Sequence, residues 1–178
     1  MKDKPLPEDH AGQAKLRQIA SQLAFVPPHH QSSSGVAPRI SGQPFLLDSN
    51  ELGLQQASFT FTKAGCVLTF RDADREYVIP CGLEKWERGE TALPGTPPRL
   101  VAGGAPKPGT KSKYAASGTW TSDHTFQVVL RFYETPHHDT ISCQFDAERL
   151  QVSFLSSIAQ MSPQPKDKRP LLIGRMKA

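Results

Sequence analysis

Between Ala115 and Phe154 apolar and polar residues alternate with a period of two, and that alternation constrains the fold more than any other feature of the chain. Phe126, Val128, Leu130 and Phe132 fall on one side, and Gln127, Arg131 and Tyr133 on the other. Successive Cβ atoms of an extended chain point to opposite faces, so the run reads as a half-buried strand. Ile141, Cys143 and Phe145, then Leu150, Val152 and Phe154, repeat the pattern. The links between them are short and carry Pro136, His137-His138-Asp139 and Asp146-Ala147-Glu148. Together they predict an antiparallel meander, which Tyr114 to Trp120 can extend by one more strand.

The same phase runs upstream. Phe45 and Leu47 precede a turn at Asp48-Ser49-Asn50, and Phe59 and Phe61 precede Lys63-Ala64-Gly65. Cys66, Leu68 and Phe70 lead into a charged turn, Arg71 to Arg75. Tyr77 and Ile79 form the next strand, Leu83 to Trp86 a candidate further one, and Leu171 to Ile173 a last, closing one. Of nine phenylalanines, eight (45, 59, 61, 70, 126, 132, 145 and 154) take the in-facing phase. Each contributes roughly 1.5–3 kcal/mol when buried. Closing a barrel satisfies so many aromatic faces at once and removes the sheet edges. The expected fold is all-β, an antiparallel closed or nearly closed barrel of about eight strands, with a sandwich as the alternative.

Residues 1–38 read as a charged start, an amphipathic helix over about 9–25 and a linker, and residues 39–178 as the barrel. Asp9 is a plausible helix cap, and Leu16, Ile19, Ala20 and Leu23 share one stripe. Pro27-Pro28 stops the helix, since proline lacks a donor and disfavours helix in the residue before it. His29 to Pro38, rich in Ser, Gly and Pro, is expected to be a flexible connection. Gly89 to Thr110 is dense in Pro and Gly and reads as a long loop. The first residues have no apolar core and do not read as a signal peptide; they look like a piece of a longer chain. A net charge of +4 without a basic stripe interleaved with aromatics argues against nucleic acid as a partner. No apolar run approaches the ~20 residues of a membrane span, and the compartment is left open.

Chemistry needs convergent titratable groups, and none falls on the inward phase. No catalytic residue, metal ligand or cofactor is expected. Cys66, Cys81 and Cys143 lack metal-ligand spacing; a buried Cys behaves as a small hydrophobe, with one disulfide the alternative in an oxidising compartment. His137 and His138 are adjacent, so in an extended chain they point apart and chelate poorly. Trp86 and Trp120 either line a pocket mouth or cap the core. Arg131 faces outward and reads as a solvated or edge charge, able to pair with Glu134 or a neighbouring strand, rather than as a ligand anchor. Trp86, Trp120, Arg131, Tyr133, His137 and His138 are the candidates for pocket or partner contact.

Taken as a set, several segments resemble a known family. They are Ala116-Ser117-Gly118-Thr119-Trp120-Thr121, Phe132-Tyr133-Glu134-Thr135-Pro136 and Phe145-Asp146. Upstream come Ile40-Ser41-Gly42, Asn50 with Leu52-Gly53-Leu54, Cys81-Gly82-Leu83 with Trp86 and Gly89, and Pro94-Gly95-Thr96-Pro97. The pattern, over about residues 6–175, is similar to the C-terminal domain of β-lactamase-related, penicillin-recognising serine hydrolases. The resemblance implies a lipocalin-like barrel, joined through the helix to an upstream serine hydrolase catalytic domain as its partner. The family's catalytic motifs do not carry over: no Ser-x-x-Lys or Tyr-x-Asn is present, and His10-Ala11-Gly12 stands alone at a helix start. The expected role is a non-catalytic accessory domain that shapes access to the hydrolase active site. The alternative is a lipocalin-like module for a small apolar ligand.

Overall fold

The computed structural model describes residues 9–96 and 109–177. Its helices are α1 (His10–Gln22), α2 (Ala37–Ile40) and α3 (Ser157–Gln160). Its strands are β1 (Pro44–Leu47), β2 (Gln56–Phe61), β3 (Gly65–Arg71), β4 (Glu76–Leu83), β5 (Glu87–Thr91), β6 (Ser112–Ser122), β7 (Thr125–Arg131), β8 (His138–Asp146), β9 (Arg149–Ser156) and β10 (Leu172–Met176). They form one sheet in the order β4-β3-β2-β1-β10-β9-β8-β7-β6-β5, and β4 also pairs with β6.

That extra pairing closes a ring of nine strands, with β5 outside the ring. Every other neighbouring pair in the ring is antiparallel, and β4–β6 is parallel, with Gly82 opposite Ser117 and Leu83 opposite Gly118. The expectation of an antiparallel barrel of about eight strands is therefore corrected on both counts. The reason is parity: strands that alternate in direction around an odd ring must meet once running the same way. The parallel seam is short because β5 pairs with the first half of β6, Glu87 opposite Ala116 through Thr91 opposite Ser112. The candidate strand at Leu83–Trp86 is also displaced: Leu83 ends β4, Glu84 takes a left-handed turn (φ 59°), and the next strand starts at Glu87.

The phenylalanine phase holds. Phe45, Phe59, Phe70, Phe126, Phe132, Phe145 and Phe154 are buried and Phe61 packs against them. One end of the barrel is filled by rings: Trp120 lies 5.3 Å from Phe61, 5.2 Å from Phe126 and 5.9 Å from Phe145, and Phe59 lies 5.1 Å from Phe145. Such tilted and edge-on pairs are favourable beyond the area they bury. Gly118 has no Cβ because the Phe126 ring occupies that space.

The interior is not wholly apolar, which corrects the expectation from the inward phase. Towards the other end Asp139 is fully buried and takes a bidentate contact from Arg169 (2.7 and 3.2 Å), which also contacts Asp167 at 2.8 Å. The guanidinium lies 4.7 Å from the centre of the Phe154 ring. Asp167 accepts further bonds from the backbone N–H groups of Ser156 (2.7 Å) and Arg169 (3.0 Å). Gly95, at φ 78°, has the Arg169 side chain where a Cβ would stand.

Helix α1 starts at the expected cap, with Asp9 accepting from the Gly12 N–H at 2.8 Å, and ends at Gln22. It buries no residue. Residues 29–38, expected to be a flexible connection, are tied to the barrel instead. Gln31 and Trp120 exchange backbone bonds of 3.1 and 3.0 Å, and Val36 is buried beside Ile40. Polar linker composition hid this because the bonds are made by backbone groups and by hydroxyls, of Thr119 and Ser34, whose partners lie 88 or 89 residues away. Of the loop expected over 89–110, residues 89–91 belong to β5, and 97–108 lie outside the described residues.

Candidate functional site

Four outward positions stand in register across neighbouring strands: Arg88 on β5, Ala115 on β6, Arg131 on β7 and His138 on β8. Adjacent strands are about 4.8 Å apart, so the Arg88 and Arg131 backbones stand about 10 Å apart across the small Ala115. A cleft of about 740 Å³ opens over this row. Its walls include Phe25, Trp86, Tyr133, Pro136 and His137.

The segment after α1 forms one wall. The Trp86 indole N–H donates to the Phe25 carbonyl at 2.7 Å, which pins the arm to the turn before β5. The Phe25 ring then lies on the Arg131 guanidinium, 4.3 Å from ring centre to Cζ, with the Trp86 ring centre at 5.8 Å. Arg88 lies 5.9 Å from the centre of the Tyr133 ring. A cation over an aromatic face is attracted by the ring quadrupole, more so when partly desolvated. Stacking leaves the guanidinium's in-plane N–H groups for a planar acceptor.

Arg131 does not pair with Glu134, as the sequence suggested; Lys113 holds Glu134 at 2.8 Å. Among the described residues neither Arg88 nor Arg131 has a carboxylate partner, and the Arg131 Nε is buried without a hydrogen bond. Leaving such a group unpaired costs on the order of 1–3 kcal/mol.

Of the six candidate residues, Trp86, Arg131, Tyr133 and His137 meet at this cleft. His138 extends the row beyond Arg131, and its backbone N–H donates to Ser157 Oγ at 3.2 Å. The His137 ring also reaches Ser157 Oγ, at 3.3 Å, so the two histidines share a hairpin-corner partner. Trp120 is elsewhere, 1% exposed in the ring cluster, where it borders a separate recess of about 600 Å³ with Phe61 and Leu83. Sequence reasoning missed Arg88, Ala115 and the role of Phe25. The signal for Phe25 was available: it is the ninth phenylalanine, the one outside the barrel phase.

Burial pushes the Cys66 and Cys143 thiols up, and all three cysteines are free and buried. Burial and the bond to Asp72 push Tyr77 up to about 12. Among the described residues no group of three His, Cys, Asp or Glu could hold a metal ion. No described helix is long and apolar enough to cross a membrane. No family model matches this chain, and no curated protein matches it.

Proposed function

We propose that this chain is a non-catalytic accessory β-barrel that docks through its N-terminal arm on a penicillin-recognising serine hydrolase domain and shapes access to that active site. The observation that carries the reading is the uncovered face of α1. Leu16, Ile19 and Leu23 form an apolar stripe and are 66%, 48% and 77% exposed. A short helix gains most of its stability by burying such a stripe, and here the barrel leaves it free. The resemblance of residues 6–175 to the C-terminal barrel of those hydrolases supplies the partner. The ring-filled interior argues for a scaffold rather than a carrier with a ligand inside.

The test is to express the hydrolase domain of the parent polypeptide with and without this barrel, and with Leu16→Glu and Leu23→Glu together. The expected outcome is a changed KM for bulky substrates and a lower melting temperature of the hydrolase in both altered forms. Unchanged kinetics and melting, or a parent polypeptide without a Ser-x-x-Lys domain, overturn the docking role. Saturable turnover of a chromogenic cephalosporin or a nitrophenyl ester by the isolated barrel overturns the non-catalytic one.

A further inference from the structure

We infer that the outer cleft over Ala115 is a binding site for a carboxylate carried on a flat, apolar body, an arenecarboxylate-type anion. This goes beyond the docking role: it uses the barrel-facing Phe25 of the arm and the strands beneath it, not the apolar stripe of α1. The volume, about 740 Å³, suits one small molecule. The floor is Ala115, the only small side chain in a row otherwise made of Arg88, Arg131 and His138. It leaves open the position between the two arginines in the row, where a larger outward side chain would stand.

The charge around the cleft points the same way. Guanidinium groups bind planar carboxylates through paired N–H donors. The acids nearest in sequence are engaged elsewhere: Glu87 with Lys85 at 3.8 Å and Glu134 with Lys113 at 2.8 Å. Glu90, two residues from Arg88 on the same strand, stands opposite Lys113. The walls set the second half of the specificity. Phe25, Trp86 and Tyr133 present ring surface, and the Trp86 N–H is already committed to the Phe25 carbonyl. The ligand thus finds stacking surface and cationic donors but few neutral polar groups to match. Because the Phe25 wall belongs to the arm after α1, a ligand that seats here also holds the arm against the barrel.

The experiment is a titration of the full chain with 2-naphthoate, followed by calorimetry and by backbone amide NMR, with 2-naphthalenemethanol as the uncharged counterpart. The expected result is one saturable site for the carboxylate, weakened by added salt, with shifts centred on Phe25, Trp86, Ala115 and Arg131. Arg131→Gln should weaken binding about tenfold or more, as expected for loss of a charge-assisted pair. Arg88→Gln is a second variant in case the first disturbs the arm, and it should weaken binding in the same direction. Equal binding of the alcohol, shifts centred on other residues, an unchanged affinity in both variants, or no saturation would each overturn the assignment.

Discussion

Near one end of the barrel Phe61, Trp120, Phe126 and Phe145 fill the interior with rings; near the other, Asp139 of β8 meets Arg169 and Asp167 of the segment after α3 in an ionic cluster. The two arrangements differ in what holds them. The ring cluster depends on shape and area, and each ring can be shortened with partial repacking. The ionic end depends on completeness. A buried charge that loses its partner keeps its desolvation cost and recovers nothing. Two regions of one barrel can therefore respond very differently to a single truncation.

The largest expected effect is at the ionic end. Arg169→Leu leaves Asp139 and Asp167 facing each other and should cost about 3–5 kcal/mol in denaturant unfolding. Adding Asp139→Leu and Asp167→Leu to the same chain should recover most of that loss. Failure to recover would mean that the charges hold the loops of this end in place rather than merely satisfying one another. At the ring-filled end Phe59→Leu should cost less, on the order of 1–2 kcal/mol, because neighbouring rings can close part of the space. A cost equal to that of Arg169→Leu would erase the contrast.

Acid sharpens it further. Burial works against the charged form of Asp167, but the Arg169 side chain and backbone N–H groups overcome it and hold the carboxyl at about 2. An unfolded Asp titrates near 4, roughly. The stabilisation from Asp167 is therefore complete above the unfolded value and lost as the pH falls towards the folded one. Asp139 has the opposite sign: burial raises its carboxyl and the neighbouring Asp167 charge adds to this, although Arg169 opposes both. Acid does not draw stability through Asp139. Stability measured between pH 4 and 2 should fall more steeply in the native chain than in Asp167→Asn, roughly over the interval between the two titrations. The smallest effect belongs to neither end. Removing residues 1–22, including all of α1, should change barrel stability by less than about 0.5 kcal/mol, since the helix buries nothing. A larger loss in thermal unfolding would mean that α1 packs on the barrel.

Much of the barrel was legible in the chain because alternation is local. Phe126 to Phe132 shows its inward face without reference to any other strand, and the turns at Lys63-Ala64-Gly65 and Asp146-Ala147-Glu148 sit where the hydrogen-bonded hairpins form. The ionic end was not legible. Asp139 reads as the tail of a polar hairpin corner, and Arg169 lies thirty residues away in an irregular segment. Only folding brings them within hydrogen-bonding distance. The cleft was half legible. Arg131 and Tyr133 stood out on the outward phase, Trp86 as a large ring at a pocket mouth or core cap and His137 at a hairpin corner, whereas Arg88 and Ala115 became part of the site only through register.

Alternation along the chain already fixes strands with one aromatic face, because the period of side-chain direction is a property of each strand alone. Tertiary structure decided how many strands close the ring and in which sense they meet at Gly82 and Ser117. It also decided which guanidinium lies buried between carboxylates and which lies between rings at the surface. Those outcomes depend on pairing between residues far apart in the chain, and pairing is set by the whole sheet closing at once.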